Sequence, residues 1–436
     1  MTQPPRGSFS RAARLATLPI GMAGRTALGV GKRLGGRPAE AVAAELQART
    51  AEQLFTVLGE LKGGAMKVGQ AMSVMEAALP EELAEPYRAT LTRLQDSAPA
   101  MPAETVHGIL ARELGPRWRT AKFTDFDDEP AAAASIGQVH RALWRDGRPV
   151  AVKVQYPGAG SALLSDLAQI SRVARVAGGW IPGIELGPLT AELQERMAEE
   201  LDYSLEAASQ KQFARRLRKD PRFTVPEVLA HGEHAIVSEW IDGTPLSQVI
   251  AEGTPEQRAQ AAERYMEFLV LGPQQVGLLH ADPHPGNFRL MDDGSLGVMD
   301  FGAVNRLPHG LPPAMGDLVR VALDGEAEAF ARGLREEGFI RPGIRLHPQV
   351  LLDYLEPFLE PVRAETFTFT RAWLRGIGST ITDVRRSDWL VAAQLNLPPA
   401  YVLIHRVWAG GIGVLCQIGA PVPARRIVLE GFPTSA

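Results

Sequence analysis

Cysteine is nearly missing: Cys416 is the single one in 436 residues. That excludes an intrachain disulfide and a thiolate metal cage, and it fits a reducing compartment. Long hydrophobic runs are scarce too, and none approaches the roughly 20 apolar residues that span a bilayer. The nearest, residues 401–420, is interrupted by His405, Arg406 and the Gly410-Gly411 pair, which predicts two buried helices there. Net charge is only −4, which argues against a nucleic-acid partner. Acidic residues are absent from positions 1–39, where seven Arg and Lys side chains alternate with apolar positions such as Leu15, Leu18 and Ile20. This stretch reads as a basic flexible arm, with a membrane-surface segment or a targeting peptide as alternatives; it has no secretory h-region. The remaining composition, 45% hydrophobic and 22% charged, is that of a globular protein with sizeable cores. The length suits two or three domains, or one two-lobed enzyme with an extension.

The densest chemistry lies between 280 and 302. His280-Ala281-Asp282-Pro283-His284-Pro285-Gly286-Asn287 leads through an apolar run to Val298-Met299-Asp300-Phe301-Gly302. An aspartate five residues before an asparagine, followed by Asp-Phe-Gly at the end of a second strand, is the phosphoryl-transfer order of kinase-like folds. Such transfer needs a carboxylate against the acceptor hydroxyl and a divalent ion to spread developing charge. Asp282 is the candidate base. Asn287 and Asp300 supply the oxygen donors that Mg²⁺ prefers. A lone Asp-Phe-Gly is usually only a turn; the ordered set is the signal. Pro283 and Pro285 forbid the helix that would place His280 and His284 on one face as metal ligands. Histidine at 284 stands where protein kinases usually carry lysine, a wording similar to that of kinases acting on aminoglycosides and choline. No Ala-Pro-Glu and no long Ser/Thr segment follow Gly302, so a protein substrate has no evident platform.

Upstream, residues 40–78 are helical in pattern, with Leu54, Leu58, Leu61, Ala65, Val68, Met72 and Met75 on one stripe. The opposite face carries Met66, Val74 and Ala77 around Lys67 and Gln70, so this helix is sandwiched and Lys67 needs a carboxylate partner, unless it snorkels to water. Further helices are expected over 81–94 and 103–114. A mixed region opens near Phe123. Ala131 to Val139 laid on the glycine-rich loop gives Ala132, Ala134, Gly137 and Val139, so two of three glycines are alanine and the nucleotide is held differently. Asp146-Gly147 signals a type I′ hairpin turn. Lys153 ends the strand Val150-Ala151-Val152 as the phosphate-gripping lysine, against the plain alternative of a strand-edge lysine facing water. A helical insert is expected over 161–177, then a long helix over 188–217. Glu206 or Glu200 on that helix orients Lys153, and Glu200 and Asp202 are the candidate partners of Lys67. Strands follow at 225–229 and 235–237, then a hinge over 238–243 with Glu239 as the adenine-side candidate. Helices fill the remainder: 255–272, 313–338 and from 348 onward.

Together these residues resemble the UbiB family of atypical kinase-like proteins, from about Leu46 to beyond Gly302. Lys67-Val68-Gly69-Gln70 is similar to its Lys-x-Gly-Gln motif, Ala131 to Val139 to its alanine-rich loop, and Glu200-Leu201-Asp202 to its Glu-x-Asp motif. The resemblance implies an α+β, two-lobed kinase-like fold with an N-terminal helical extension that lies over the active site. The domains expected are a 1–39 arm, a 40–122 extension, a 123–243 N-lobe and a 244–436 C-lobe. It also implies ATP and Mg²⁺ as cofactors, ATPase or small-molecule or lipid-linked kinase activity, an association with isoprenoid quinone biosynthesis, and peripheral membrane contact from the cytoplasm. A nucleotide-gated binding protein with little turnover is the alternative, favoured by the alanine loop and the covering helix. A protein kinase fits poorly.

Overall fold

The computed structural model describes residues 100–134, 136–158, 201–340, 343–382, 391 and 394–435. The helices expected over 40–78, 81–94 and 161–177, with Lys67, Gln70 and Glu200, lie outside these residues. The described chain forms two compact units. The first takes in the residues up to Ser204 with Ala230–Val237; the second comprises Leu205–Leu229 and Ser238–Ala436.

The elements in chain order begin with α1 (Ala103–Leu114), α2 (Trp118–Lys122), β1 (Phe123–Ala134), β2 (Gly137–Trp144), β3 (Pro149–Gln155) and α3 (Tyr203–Leu217). Next come β4 (Phe223–Thr224), β5 (Val228–His231), β6 (Ala235–Glu239), β7 (Thr244–Pro245), α4 (Leu246–Glu252), α5 (Pro255–Val276) and β8 (Leu278–His280). Then follow β9 (Phe288–Leu290), β10 (Leu296–Val298), β11 (Val304–Arg306), α6 (Ala314–Leu323), α7 (Ala327–Glu336) and α8 (Pro348–Arg363). The chain closes with β12 (Phe367–Thr368), α9 (Arg371–Thr382), α10 (Pro399–Ile418), β13 (Pro421–Val422) and α11 (Ala424–Gly431).

A five-stranded sheet in the order β1-β2-β3-β6-β5 dominates the first unit. On β3, Val150, Val152 and Val154 are fully buried while Ala151 and Lys153 are half-buried, the period of a strand with two unequal faces. Beneath the start of β1, Trp118, Phe123 and Phe126 meet edge to face at 5.0–5.9 Å. The alanine run belongs to β1, which is an edge strand. That position tolerates Pro130, where the pairing with β2 shifts register. The Asp146-Gly147 turn is not type I′. Only Gly147 has positive φ (87°), and Gly147 N–H and Trp144 N–H donate to Trp144 O and Arg148 O, both at 2.8 Å. This is a three-residue loop with a glycine bulge, which spares Asp146 a left-handed backbone.

Other expectations change for equally local reasons. The helix expected from 188 begins, among described residues, only at Tyr203: Asp202 Oδ1 accepts the Ser204 N–H at 2.8 Å and caps it. The single strand expected over 225–229 is two. Pro226 separates β4, which pairs in parallel with β10, from β5. Residues 313–338 form α6 and α7, broken at Gly325, whose φ is 77°.

In the second unit, α5 is the central helix. Thr254 and Gln257 form a reciprocal capping box, Pro255 occupies the first turn, and Gly277 closes the helix at φ 74°. It runs four residues past the expected end, through Pro273. Residues 401–420 hold one helix, α10, rather than two. Its glycines serve packing: a Cβ on Gly411 would overlap Leu269 of α5. Among the described residues α10 alone is long and apolar enough to cross a membrane, yet half of its most apolar window is buried in the protein.

Candidate active site

Two antiparallel strand pairs in the second unit frame the loop that carries the predicted chemistry. β8 pairs with β11, and β9 with β10. Ala281 N–H donates to Ala303 O at 2.9 Å, so the chain leaves β8 still tied to its neighbour. Asp282 follows, half-buried. Pro285–Asn287 form one 3₁₀ turn, and His284 Nδ1 accepts the Gly286 N–H at 3.1 Å. Asn287, 7% exposed, donates Nδ2–H to the Asp282 carbonyl at 3.2 Å. Its own carbonyl accepts the Met299 N–H at 3.0 Å, which fixes the Asp-Phe-Gly segment to the loop. Asp300 Oδ1 accepts the Gly302 N–H at 2.9 Å, and that bond orients its carboxylate. Asp282, Asn287 and Asp300 thus lie on two segments joined by main-chain hydrogen bonds.

The histidines serve structure at this site. His280, 3% exposed, donates from Nε2 to the Asp300 carbonyl at 2.5 Å. Its ring lies 5.6 Å from Phe301 and 6.5 Å from Phe213 of α3, while Phe213 and Phe301 are 5.0 Å apart. This aromatic cluster seats Phe301, the residue after Asp300. Tyr265 of α5 is the loop's other anchor. Fully buried, it donates its hydroxyl to Pro283 O at 2.6 Å. Burial first, and the negative charge of Asp282 second, push the phenol well above its usual pKa, so it remains a donor. Sequence reasoning missed Tyr265, because an isolated tyrosine on an apolar helix face reads as core.

The oxygen donors fit a magnesium ion brought by a nucleotide. Asn287 commits its amide nitrogen to the protein, so Oδ1 is the atom that would face a metal, and Asp300 would add a carboxylate oriented by the Gly302 N–H. Among the described residues no cluster of three His, Cys, Asp or Glu could hold a metal by itself. Magnesium on a triphosphate needs only one or two protein ligands, the phosphates and water supplying the others.

In the first unit, Ala132 is exposed, Ala134 half-buried and Gly137 buried. A Cβ on Gly137 would overlap the Val154 carbonyl and stand 3.0 Å from the Tyr203 hydroxyl. Its φ is not positive. Glycine is therefore required at 137 by lack of space, whereas 132 and 134 have room for a methyl. Lys153 is half-buried with Nζ 5.0 Å from the centre of the Tyr203 ring. Three residues further along α3, in the second unit, Glu206 is 4% exposed. Glu239 is engaged with its neighbour strand: its N–H donates to Glu227 O, and its carboxylate accepts the Glu227 N–H, both at 3.0 Å. At the end of the hinge, Arg289 Nη1 donates to Gly243 O at 2.7 Å.

The family profile of the ABC1 atypical kinase-like domain matches residues 93–332. The chain is 27% identical to "Atypical kinase COQ8B, mitochondrial" of Danio rerio, over 98% of this chain and 69% of that protein. It is 30% identical to "Atypical kinase coq-8, mitochondrial" of Caenorhabditis elegans, over 76% of this chain and 45% of that protein. It therefore spans about two thirds of the first relative and under half of the second. A solved structure of Rv3197 of Mycobacterium tuberculosis in complex with erythromycin is 44% identical, with a TM-score of 0.70, over 91% of this chain and 99% of that one. The fold is kinase-like and mixed α/β, and the family implies ATP use. The chain belongs to the ABC1, or UbiB, family of atypical kinase-like proteins.

Proposed function

We propose that the protein is an ATP-dependent phosphotransferase or ATPase that acts on, or is regulated by, a small-molecule or lipid-like ligand. The observation that carries this reading is the hydrogen-bonded pair of segments bearing Asp282, Asn287 and Asp300. Asp282 accepts the proton of the attacking hydroxyl or water. Asn287 and Asp300 would hold a magnesium ion, which would supply positive charge against that developing on the transferred phosphoryl group. Lys153, oriented by Glu206, grips the phosphates beneath the turn between Ala134 and Gly137. Glu239 marks the adenine side of the hinge, where its engaged N–H leaves the hydrogen bonding to other main-chain groups. Lys67 and Gln70, with Glu200 and Asp202 as partners, form the covering element that the ligand displaces. The 1–39 arm and the 40–122 extension precede the two lobes.

Isoprenoid quinone precursors are the ligand class suggested by the COQ8-type relatives. Macrolides are a second probe, since the M. tuberculosis relative was solved with erythromycin. Localisation is cytoplasmic, with peripheral membrane contact. The test is ATP binding and phosphate release with magnesium, with and without lipid vesicles and a quinone-precursor analogue. Absence of magnesium-dependent nucleotide binding rejects the enzyme reading. Binding with no turnover in any condition favours a nucleotide-gated binding protein, a role compatible with the two alanines of the turn.

A further inference from the structure

The ammonium of Lys153 lies 5.0 Å from the centre of the Tyr203 ring, a cation over an aromatic face. Tyr203 is fully buried at the first residue of α3, and the surrounding chain fixes it there. Asp202 caps the helix through the Ser204 N–H at 2.8 Å. Gln155, two residues beyond Lys153 on β3, donates Nε2–H to Leu201 O at 2.9 Å. The strand that carries the lysine therefore also grips the chain just ahead of the tyrosine. On the other side, the Tyr203 hydroxyl occupies space that a Cβ on Gly137 would need. One ring thus touches both the lysine and the turn that follow from the nucleotide reading.

We propose that Tyr203 is a positioning residue of the Lys153 ammonium, beside Glu206. This rests on the assignment of Lys153 as the phosphate-gripping lysine. A ring face holds an ammonium by its quadrupole and adds no charge of its own. Tyr203 acts through Lys153 and does not itself meet the reacting atoms. A cation–π contact of this kind is worth roughly 2- to 30-fold in an equilibrium, from exposed to desolvated settings.

The test uses the full chain with ¹³C-labelled lysine, the Lys153 ε-methylene signal being assigned by its loss in Lys153→Arg. A ring face shifts that signal upfield. The shift is expected in the parent protein, retained in Tyr203→Phe and lost in Tyr203→Leu. Calorimetric titration with magnesium and ATP should show binding weakened about 2- to 30-fold in Tyr203→Leu and within about 2-fold of the parent in Tyr203→Phe. If Tyr203→Leu does not fold, pentafluorophenylalanine at position 203, isosteric with phenylalanine but of reversed quadrupole, takes its place in both measurements. A parent signal without the upfield shift overturns the ring contact, whatever nucleotide does. A shift lost in the variant with affinity unchanged overturns the positioning role. A parent that shows the shift but binds no nucleotide overturns the phosphate-gripping assignment, and the positioning role with it, while the ring contact stands.

Discussion

The turn between β1 and β2 and the loop after β8 are both short, yet they are fixed by different physics. At the turn, close packing decides: Gly137 has the Val154 carbonyl and the Tyr203 hydroxyl where a side chain would go, and Ala132, which pairs with Val139, is exposed. In the loop, hydrogen bonds decide. Tyr265, Asn287 and His284 each engage the main chain. A loop held by polar bonds fixes its own carboxylates in place. A turn held by exclusion fixes only the path of the chain, and leaves the lysine beneath it to be held by something else.

This contrast can be broken most directly at Asp282. If the loop is built around its chemistry rather than by it, Asp282→Asn should lower phosphate release by about 10²- to 10⁴-fold while the urea midpoint barely moves. A parallel fall in stability would show that the carboxylate is structural. Gly137→Ala should act in the opposite sense, costing about 1–3 kcal/mol by overpacking, and nucleotide binding with it. Urea unfolding followed by intrinsic fluorescence reads that loss; an unchanged midpoint would remove the steric account. Tyr265→Phe leaves the Pro283 carbonyl without its donor inside the protein. A cost of about 1–3 kcal/mol is expected, with kcat falling more than nucleotide affinity, since the loop rather than the binding surface is loosened. Ala132→Gly sharpens the contrast from the small side: about 0.5–1 kcal/mol of destabilisation at most, from added backbone freedom.

The first unit also carries a pH dependence. His140 is fully buried, accepting from Gln138 Nε2 and donating from Nδ1 to Asp127 O, both at 2.8 Å. Burial lowers its pKa below the ordinary 6.5; the Asp127 carbonyl and the charges of Asp128 and Asp127 offset this in part, and His107 adds to it. The unfolded chain therefore binds the proton more readily. Stability is complete above about pH 6.5 and declines as pH falls from there toward the folded pKa. The urea midpoint should drop between pH 8 and pH 5, and His140→Asn should narrow that difference.

Much of the site was legible because its signals are local. Asp282, Asn287 and Asp300 stand in a fixed order over 19 residues, and α1 and the start of β1 lie where composition put them. Failures occurred where one bond or one neighbour outweighed pattern. Among the described residues the Asp202 cap starts the helix at Tyr203 and leaves 201–202 outside it, and Pro226 divided one strand into two. Close approach of α10 to α5 turned a Gly-Gly interruption into a packing surface. Tyr203 stood next to a recognised motif, but nothing in its spacing pointed to Lys153.

By itself the sequence determined the family and the order of the candidate proton acceptor and magnesium ligands, because such groups are specified by side-chain type and by short intervals along the chain. Only tertiary structure decided why Gly137 alone kept its glycine, what anchors the loop at Pro283, and which ring lies under Lys153. Those contacts join residues 17 to 66 positions apart, and over such separations chain order sets no distance; packing does.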